Sequence, residues 1–190
     1  MKKSLGPKTL IYPTPVWLVG SYDKNNKPNL MTIAWGGLCC SKPPCVTVSL
    51  RKATYTYNNI MERNAFTVNV PPEQYIKETD YCGMASGRNV EKFTKTNLTA
   101  VKSEIVDAPY VQEFPLILEC KLFKTVELGL HTQFIGEILD VKADENILNE
   151  KGIPAMEKVK PFIYAPELQF YFGIGKYLGQ GFSIGKEIGK

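Results

Sequence analysis

Arg51 stands among three hydroxyl side chains, Ser49, Thr54 and Thr56, and together they make a set of groups able to hold an anion. Hydroxyls donate to phosphate or carboxylate oxygens, and the guanidinium does so through a fixed fork of donors. The set falls where an alternating β-branched run, Val46 to Leu50, gives way to a helical spacing from Thr54 to Arg63. That junction is a helix N-terminus, where free N–H groups and the helix dipole favour negative charge. Spacing leaves a plainer reading open: Thr54 and Thr56 merely start a helix, and Arg51 is a solvated charge.

A second group lies upstream. Strand alternation would put Asn29, Met31, Ile33 and Trp35 on one face, and Leu30, Thr32 and Ala34 on the other. An amide set among Met and Trp suits the wall of a pocket for a heterocycle. On the residues alone the plainer reading is favoured, a core strand whose Asn29 serves the preceding turn. The single histidine, His131, falls at the expected turn between two long strands and reads either as a ligand contact or as a surface turn residue. Lys92, in a short helical stretch, reads as a solvated charge. Adjacent Cys39 and Cys40 would point to opposite faces of a strand, which suits shared metal ligation poorly. With no Cys-x-x-Cys pair and an odd count of 5 cysteines, ordinary reduced and mostly buried thiols are expected, with no metal site.

The elements that must position these groups are short. Strands are expected at 16–22, 30–34, 46–50 and 65–70, with a hairpin loop at 23–28 and a break at Lys42-Pro43-Pro44. Tyr57, Ile60 and Met61 have the i, i+3, i+4 spacing of an amphipathic helix, with Thr54 available as its N-cap. Stretches 73–81 and 90–95 read as short helices, 116–127 and 132–143 as long strands, and 162–164 and 169–172 as short ones. Residues 173–190 hold six of the 15 glycines, so an irregular tail lying over the barrel or a partner subunit is expected. The spacing in Gly173 to Gly179 is one residue too long for a dinucleotide fingerprint, and no βαβ unit follows it. Asn97-Leu98-Thr99 fits a glycosylation sequon, which carries little without a secretory signal.

Bulk properties narrow the classes. A chain of 190 residues with 44% apolar and 22% charged residues is expected to be one domain with a real core. A net charge of +4 without clustered Lys or Arg argues against nucleic acid and fits an anionic small ligand. The start Met1-Lys2-Lys3 leads into no apolar run, and no run is long enough for a bilayer, so a cytoplasmic protein without membrane contact is expected.

The runs Asn29 to Trp35, Val48 to Thr56 and Phe66 to Asn69, in this order, resemble the flavin reductase-like, FMN-binding split-barrel family, and within it the flavoredoxins. The resemblance covers about Thr14 to Phe172. It implies a mainly β fold, a Greek-key split β-barrel with short helical insertions, as a single domain over 1–190 with the glycine-rich tail 173–190. It implies FMN as cofactor, a homodimer with the flavin near the interface, and NAD(P)H or a redox protein as electron partner. By similarity, Asn29, Trp35, Thr56, Lys92, His131 and an aromatic at position 164, here Tyr164, line the FMN site. Met31, Thr32, Ser49, Leu50 and Arg51 are expected at the flavin and its phosphate, beside Thr54 of the anion set. Flavin-dependent redox chemistry asks for no general acid or base among them. Two activities fit: NAD(P)H-dependent flavin reduction passing electrons to an acceptor, or a flavoredoxin-type FMN electron carrier.

Overall fold

Short β-branched runs punctuated by turn formers pair with their neighbours in sequence, and here they do so antiparallel throughout. A computed structural model describes residues 1–188. In chain order the strands are β1 (Thr14–Pro15), β2 (Trp17–Tyr22), β3 (Pro28–Ile33), β4 (Gly36–Ser41), β5 (Pro44–Arg51), β6 (Ala65–Val70), β7 (Ala100–Lys102), β8 (Pro109–Val111), β9 (Leu116–Leu128), β10 (His131–Ala143), β11 (Phe162–Ala165) and β12 (Phe170–Gly173). The helices are α1 (Tyr55–Arg63), α2 (Ile76–Met84), α3 (Lys92–Thr96) and α4 (Met156–Val159).

The main sheet has the order β3-β2-β6-β9-β10-β5-β4. Its two outermost strands, β3 and β4, are consecutive in the chain and joined only by Ala34 and Trp35. Counting antiparallel steps across the sheet, they run in the same direction. One bent stretch of chain therefore serves both edges, and the sheet has to curl until those edges face each other. The result is a Greek-key split barrel with its seam at Ala34 and Trp35. Small sheets β1-β11-β12 and β7-β8 flank it.

Alternation along the strands fills two cores. Inside the barrel are Val19, Ile33, Val46, Val48, Leu50, Phe66, Val68, Cys120 and Phe134, with Ile60 of α1 closing the set. On the other side Leu18, Leu30 and Ile117 pack against Cys82, Phe93, Leu98, Val111 and Phe114, contributed by α2, α3 and the β7–β8 region. At Gly136 a Cβ would overlap the Phe66 ring, so that glycine is what allows β10 to lie close over β6.

Several expectations shift. Edge strand β4, β1, the β7–β8 hairpin and α4 were not legible in the pattern. Region 73–81 divides into a 3-10 turn at Glu73–Tyr75 and α2, and His131 opens strand β10 rather than occupying a turn. On α1 the buried residues are Thr56, Asn59 and Ile60, while Met61 is exposed. Cys45, Cys82 and Cys120 are buried, but Cys39 and Cys40 are both exposed. The tail after Gly173 has no regular element except one 3-10 turn at Ile184–Glu187, and its last two residues lie outside the described ones. Among the described residues no helix is long and apolar enough to cross a membrane, and no group of His, Cys, Asp and Glu could hold a metal ion.

Candidate functional site

The barrel seam opens into a cleft with two adjoining parts that share Met31, Thr54 and Gly83. Each part follows from the elements that wall it.

The first part, about 250 Å³, is mostly apolar. Strand β3 and the bend after it present Met31, Thr32, Ile33, Ala34 and Trp35; β5 presents Ser49 and Arg51. Alternation on β5 turns Leu50 the other way, into the barrel core, where it is fully buried. A ligand in the cleft could meet only the backbone of Leu50. Two aromatic pairs line the same space. His131 lies opposite Arg51 in the β5–β10 ladder, and its ring stacks on Trp35 at 6.2 Å between centroids and 6° between planes. Tyr164 and Tyr171 are partners in the β11–β12 ladder, and their rings lie 5.2 Å apart. The Tyr171 hydroxyl donates to Asp80 Oδ1 at 2.8 Å, and burial, reinforced by that bond, pushes its ionisation well above the ordinary range.

The second part, about 230 Å³, is polar, running from the start of α1 to the end of α2 and the turn after it. Thr54 has the extended backbone of an N-cap residue, yet its hydroxyl turns back to the Arg51 carbonyl at 2.8 Å. The expected cap is therefore not made, and the first N–H groups of α1 have no side-chain partner. Buried side chains pin α1 to the β2–β3 hairpin: Asn29 Nδ2 donates to Thr56 Oγ1 at 2.9 Å, and Asn59 Nδ2 to Ser21 Oγ at 3.1 Å. Asn29 thus serves the helix, not the turn before it, and its Oδ1 is buried without a donor.

Lys92 departs furthest from its plain reading. It is 4% exposed, and its ammonium donates to the carbonyls of Leu30 and Cys82, both at 2.7 Å. It makes no ion pair among the described residues. Burial lowers its pKa to about 8, with the neighbouring Cys82 thiol acting weakly the other way. The structure thus places a buried cation, held only by neutral acceptors, against an open cavity and an uncapped helix end. That combination is chemically suited to an anion.

Of the residues singled out in the sequence, Met31, Thr32, Trp35, Ser49, Arg51, Thr54, His131 and Tyr164 line the first part of the cleft, and Thr56 and Lys92 the second. Asn29 and Leu50 lie behind its walls. Two further residues were missed. Arg88, in the second part, donates to the Ala53 carbonyl at 2.7 Å and lies 5.6 Å from the centre of the Tyr55 ring. Tyr55 is held in turn by a 2.6 Å bond to Asp23 Oδ2, which with burial pushes its pKa up to about 12. A signal for Arg88 existed in Ser86-Gly87-Arg88, a cation on a turn ahead of the helix carrying Lys92. Tyr171 could have been read from its place in the strand paired to Tyr164.

The Flavin reductase like domain model matches residues 9–167, and the chain belongs to that family. Among solved structures it is similar to the flavoredoxin of Desulfovibrio vulgaris (Miyazaki F), 54% identical with a TM-score of 0.94, over 97% of this chain and 100% of the other. It is also similar to flavoredoxin from Methanosarcina acetivorans, 32% identical with a TM-score of 0.92, over 99% of each chain. A ferric-chelate reductase (NAD(P)H) of Archaeoglobus fulgidus is 29% identical over 123 residues, 63% of this chain and 72% of that protein.

Proposed function

We propose that this member of the flavin reductase-like family holds FMN in the seam cleft and acts as an oxidoreductase, taking electrons from NAD(P)H and passing them to an acceptor. The observation that carries this reading is Lys92, a buried ammonium without a carboxylate beside the uncapped start of α1.

The residues fit that cofactor. Arg51, Arg88, Lys92 and the free amides of α1 supply donors and positive charge for a phosphate carrying about −2. Met31, Ile33, Trp35, Tyr164 and Tyr171 offer flat or apolar walls to a heterocycle. When bound, FMN supplies a ring that takes up a hydride or single electrons. The chain's own residues have positional work to do: Arg51 and Thr54 hold the anionic end, Trp35 and His131 form one wall as a stacked pair, and Tyr171, held by Asp80, backs Tyr164. No side chain is asked to move a proton.

Two observations bear on the electron partner. The 54% identity to a flavoredoxin favours a carrier that exchanges electrons with a redox protein, whereas the reductase relative favours NAD(P)H. Heat release and chromatography of the cofactor, then anaerobic stopped-flow mixing with NADH and NADPH, separate these. Recovery of FAD alone, or of no flavin after reconstitution, removes the FMN reading. FMN that neither nicotinamide bleaches leaves the carrier.

The working unit in this reading is a cytoplasmic homodimer. Its support is the tail, where Tyr177, Leu178 and Phe182 stand exposed in one protomer. Light scattering on the full chain and on a truncation ending at Phe172 tests it. A full-length monomer that keeps FMN at micromolar concentration would remove the dimer.

A further inference from the structure

Three of the five cysteines meet at one end of the β4–β5 hairpin, away from the cleft residues of β5. The ladder pairs Leu38 with Val46 and then Cys40 with Cys45, so two steps on β4 answer one step on β5. Cys39 is the extra residue of a bulge. A regular strand would send Cys39 and Cys40 to opposite faces, but a bulge re-aims its side chains. Burial, and after it the neighbouring Cys39 and Cys40 thiols and Glu137, hold the ionisation of Cys45 above its ordinary value. All three are free; Cys39 and Cys40 are exposed and Cys45 is buried.

Directly opposed residues in an antiparallel ladder have Cα atoms about 4.5–5.5 Å apart, inside the roughly 4.4–6.8 Å window of disulfides. Cys40 and Cys45 are such a pair, and Cys40 Sγ reaches the backbone only through a 3.3 Å contact to the Lys42 carbonyl. We infer that Cys40 and Cys45 form a reversible cross-strand disulfide, a thiol-oxidation site that takes a low-molecular-weight disulfide as its oxidant. The inference does not depend on the flavin.

The exposed partner starts the exchange. Cys40, as its thiolate, attacks one sulfur of the small disulfide, forming a mixed disulfide and expelling one small thiolate. Cys45 then loses its proton to solvent, its sulfur attacks the Cys40 sulfur, and the second small thiolate leaves. The protein gives up two hydrogens and two electrons, and the small disulfide is reduced to two thiols. The division of labour suits the geometry: an accessible attacker, and a buried resolving thiol that stays protonated until the mixed disulfide is beside it.

The experiment treats the folded, full-length protein with oxidised glutathione, quenches in acid, alkylates, and reads intact mass. The expected result is loss of two of the 5 thiols to a bridge that retains no glutathione, with any glutathione on exposed Cys39 identified by its absence in Cys39→Ser, and reversal by dithiothreitol. Cys39→Ser closes as the native chain does, whereas Cys40→Ser loses no thiol pair. Cys45→Ala, combined with Cys39→Ser so that Cys40 is the one exposed thiol of the hairpin, keeps one glutathione. Since Cys40 is exposed, Cys40→Ser leaves the fold intact and decides the matter even where Cys45→Ala does not fold. A native chain that retains glutathione without losing a second thiol would overturn the inference, and so would closure in Cys40→Ser or a bridge from Cys45 to Cys120.

Discussion

Two lysines stand against buried polar surroundings in this molecule, and they are held in opposite ways. Lys142, partly exposed, faces Glu119 at 3.3 Å and Asp140 at 3.3 Å. Glu119 is fully buried, and neither of its oxygens has a hydrogen-bond partner, so the ammonium is its only counter-charge among the described residues. Desolvation pulls the Lys142 pKa down, but its contacts with Glu119 and Asp140 outweigh that and hold it above the ordinary value. Lys92 is more deeply buried, meets two carbonyls and no carboxylate, and its pKa falls to about 8. Both lysines border cavities. What separates them is whether the chain supplies the opposite charge. At Lys142 it does, and the pair is complete; at Lys92 it does not, and in the proposed reading the FMN phosphate meets that demand.

The largest effect should follow from removing that demand. Lys92→Met is expected to weaken FMN binding by about 2–4 kcal/mol, roughly thirtyfold to a thousandfold, the usual range when one partner of a buried charge contact is truncated. The apoprotein should still fold, because relief of the buried charge offsets the two carbonyls left without a donor. Fluorescence titration with FMN and a urea melt of the apoprotein measure the two together. Unchanged affinity would put Lys92 in the same class as Lys142, a structural cation. Next in size is Arg51→Ala. Losing a charge-assisted bond to phosphate costs about 1.5–3 kcal/mol, near tenfold to a hundredfold for FMN, and nothing for riboflavin, which has no phosphate. Equal weakening of both ligands would mean Arg51 only shapes β5.

The contrast between the lysines also marks what the sequence could reveal. That Ser49, Arg51 and Thr54 come together at the cleft was legible because they straddle a strand-to-helix switch, a local event with a local signature. Alternation correctly put Met31 and Ile33 on a face apart from Leu30, and the resemblance to the split-barrel family gave the fold and pointed to His131, which lines the cleft. Lys92 was not legible from physics. A lysine in a five-residue helix is ordinarily solvated, and only the long-range packing of α3 against β3 and α2 buries it. The same holds for β4, whose glycines and cysteines carry no strand pattern and whose pairing comes from the hairpin with β5. Leu50 shows the converse: its neighbours on both sides face the cleft, and period-two alternation turns it away.

The complete pair can be broken deliberately. Lys142→Met leaves the Glu119 carboxylate buried without a counter-charge and should destabilise the fold by about 2 kcal/mol, below the full cost of a wholly buried pair because Lys142 is partly solvated. Glu119→Gln should cost less, since it removes the charge that needs pairing. Flavin affinity at saturating stability should not change in either. Urea midpoints, read beside FMN titrations, check this. A Lys142→Met protein as stable as the native chain would mean that the pair with Glu119 adds nothing to the stability of the fold.

The smallest effect is the most diagnostic, because its sign reverses with the ligand. In the apoprotein the Lys92 pKa lies near 8, against an ordinary 10.5. Between these values the unfolded chain holds a proton at this position that the folded chain has released. The unfolded state binds more protons there, so this group makes folding more favourable as pH rises through the window. Flavin binding runs the other way. An anion needs the ammonium, so FMN affinity is full below about pH 8 and falls above it, approaching tenfold per pH unit at most if the neutral amine contributes nothing. The flavin phosphate has completed its own ionisation by pH 7, its second pKa being about 6. Two neighbours in the same part of the cleft stay out of the way: burial holds the Cys82 thiol up at about 11, and the bond to Asp23 holds Tyr55 up at about 12. Thermal melts with and without FMN from pH 7 to 9.5, on the native chain and on Lys92→Met, isolate the term by difference. The native apoprotein should gain stability relative to the variant while the shift on adding FMN shrinks, and the variant should show neither trend. A flavin shift that stays constant with pH in the native chain would leave Lys92 buried for reasons of packing alone.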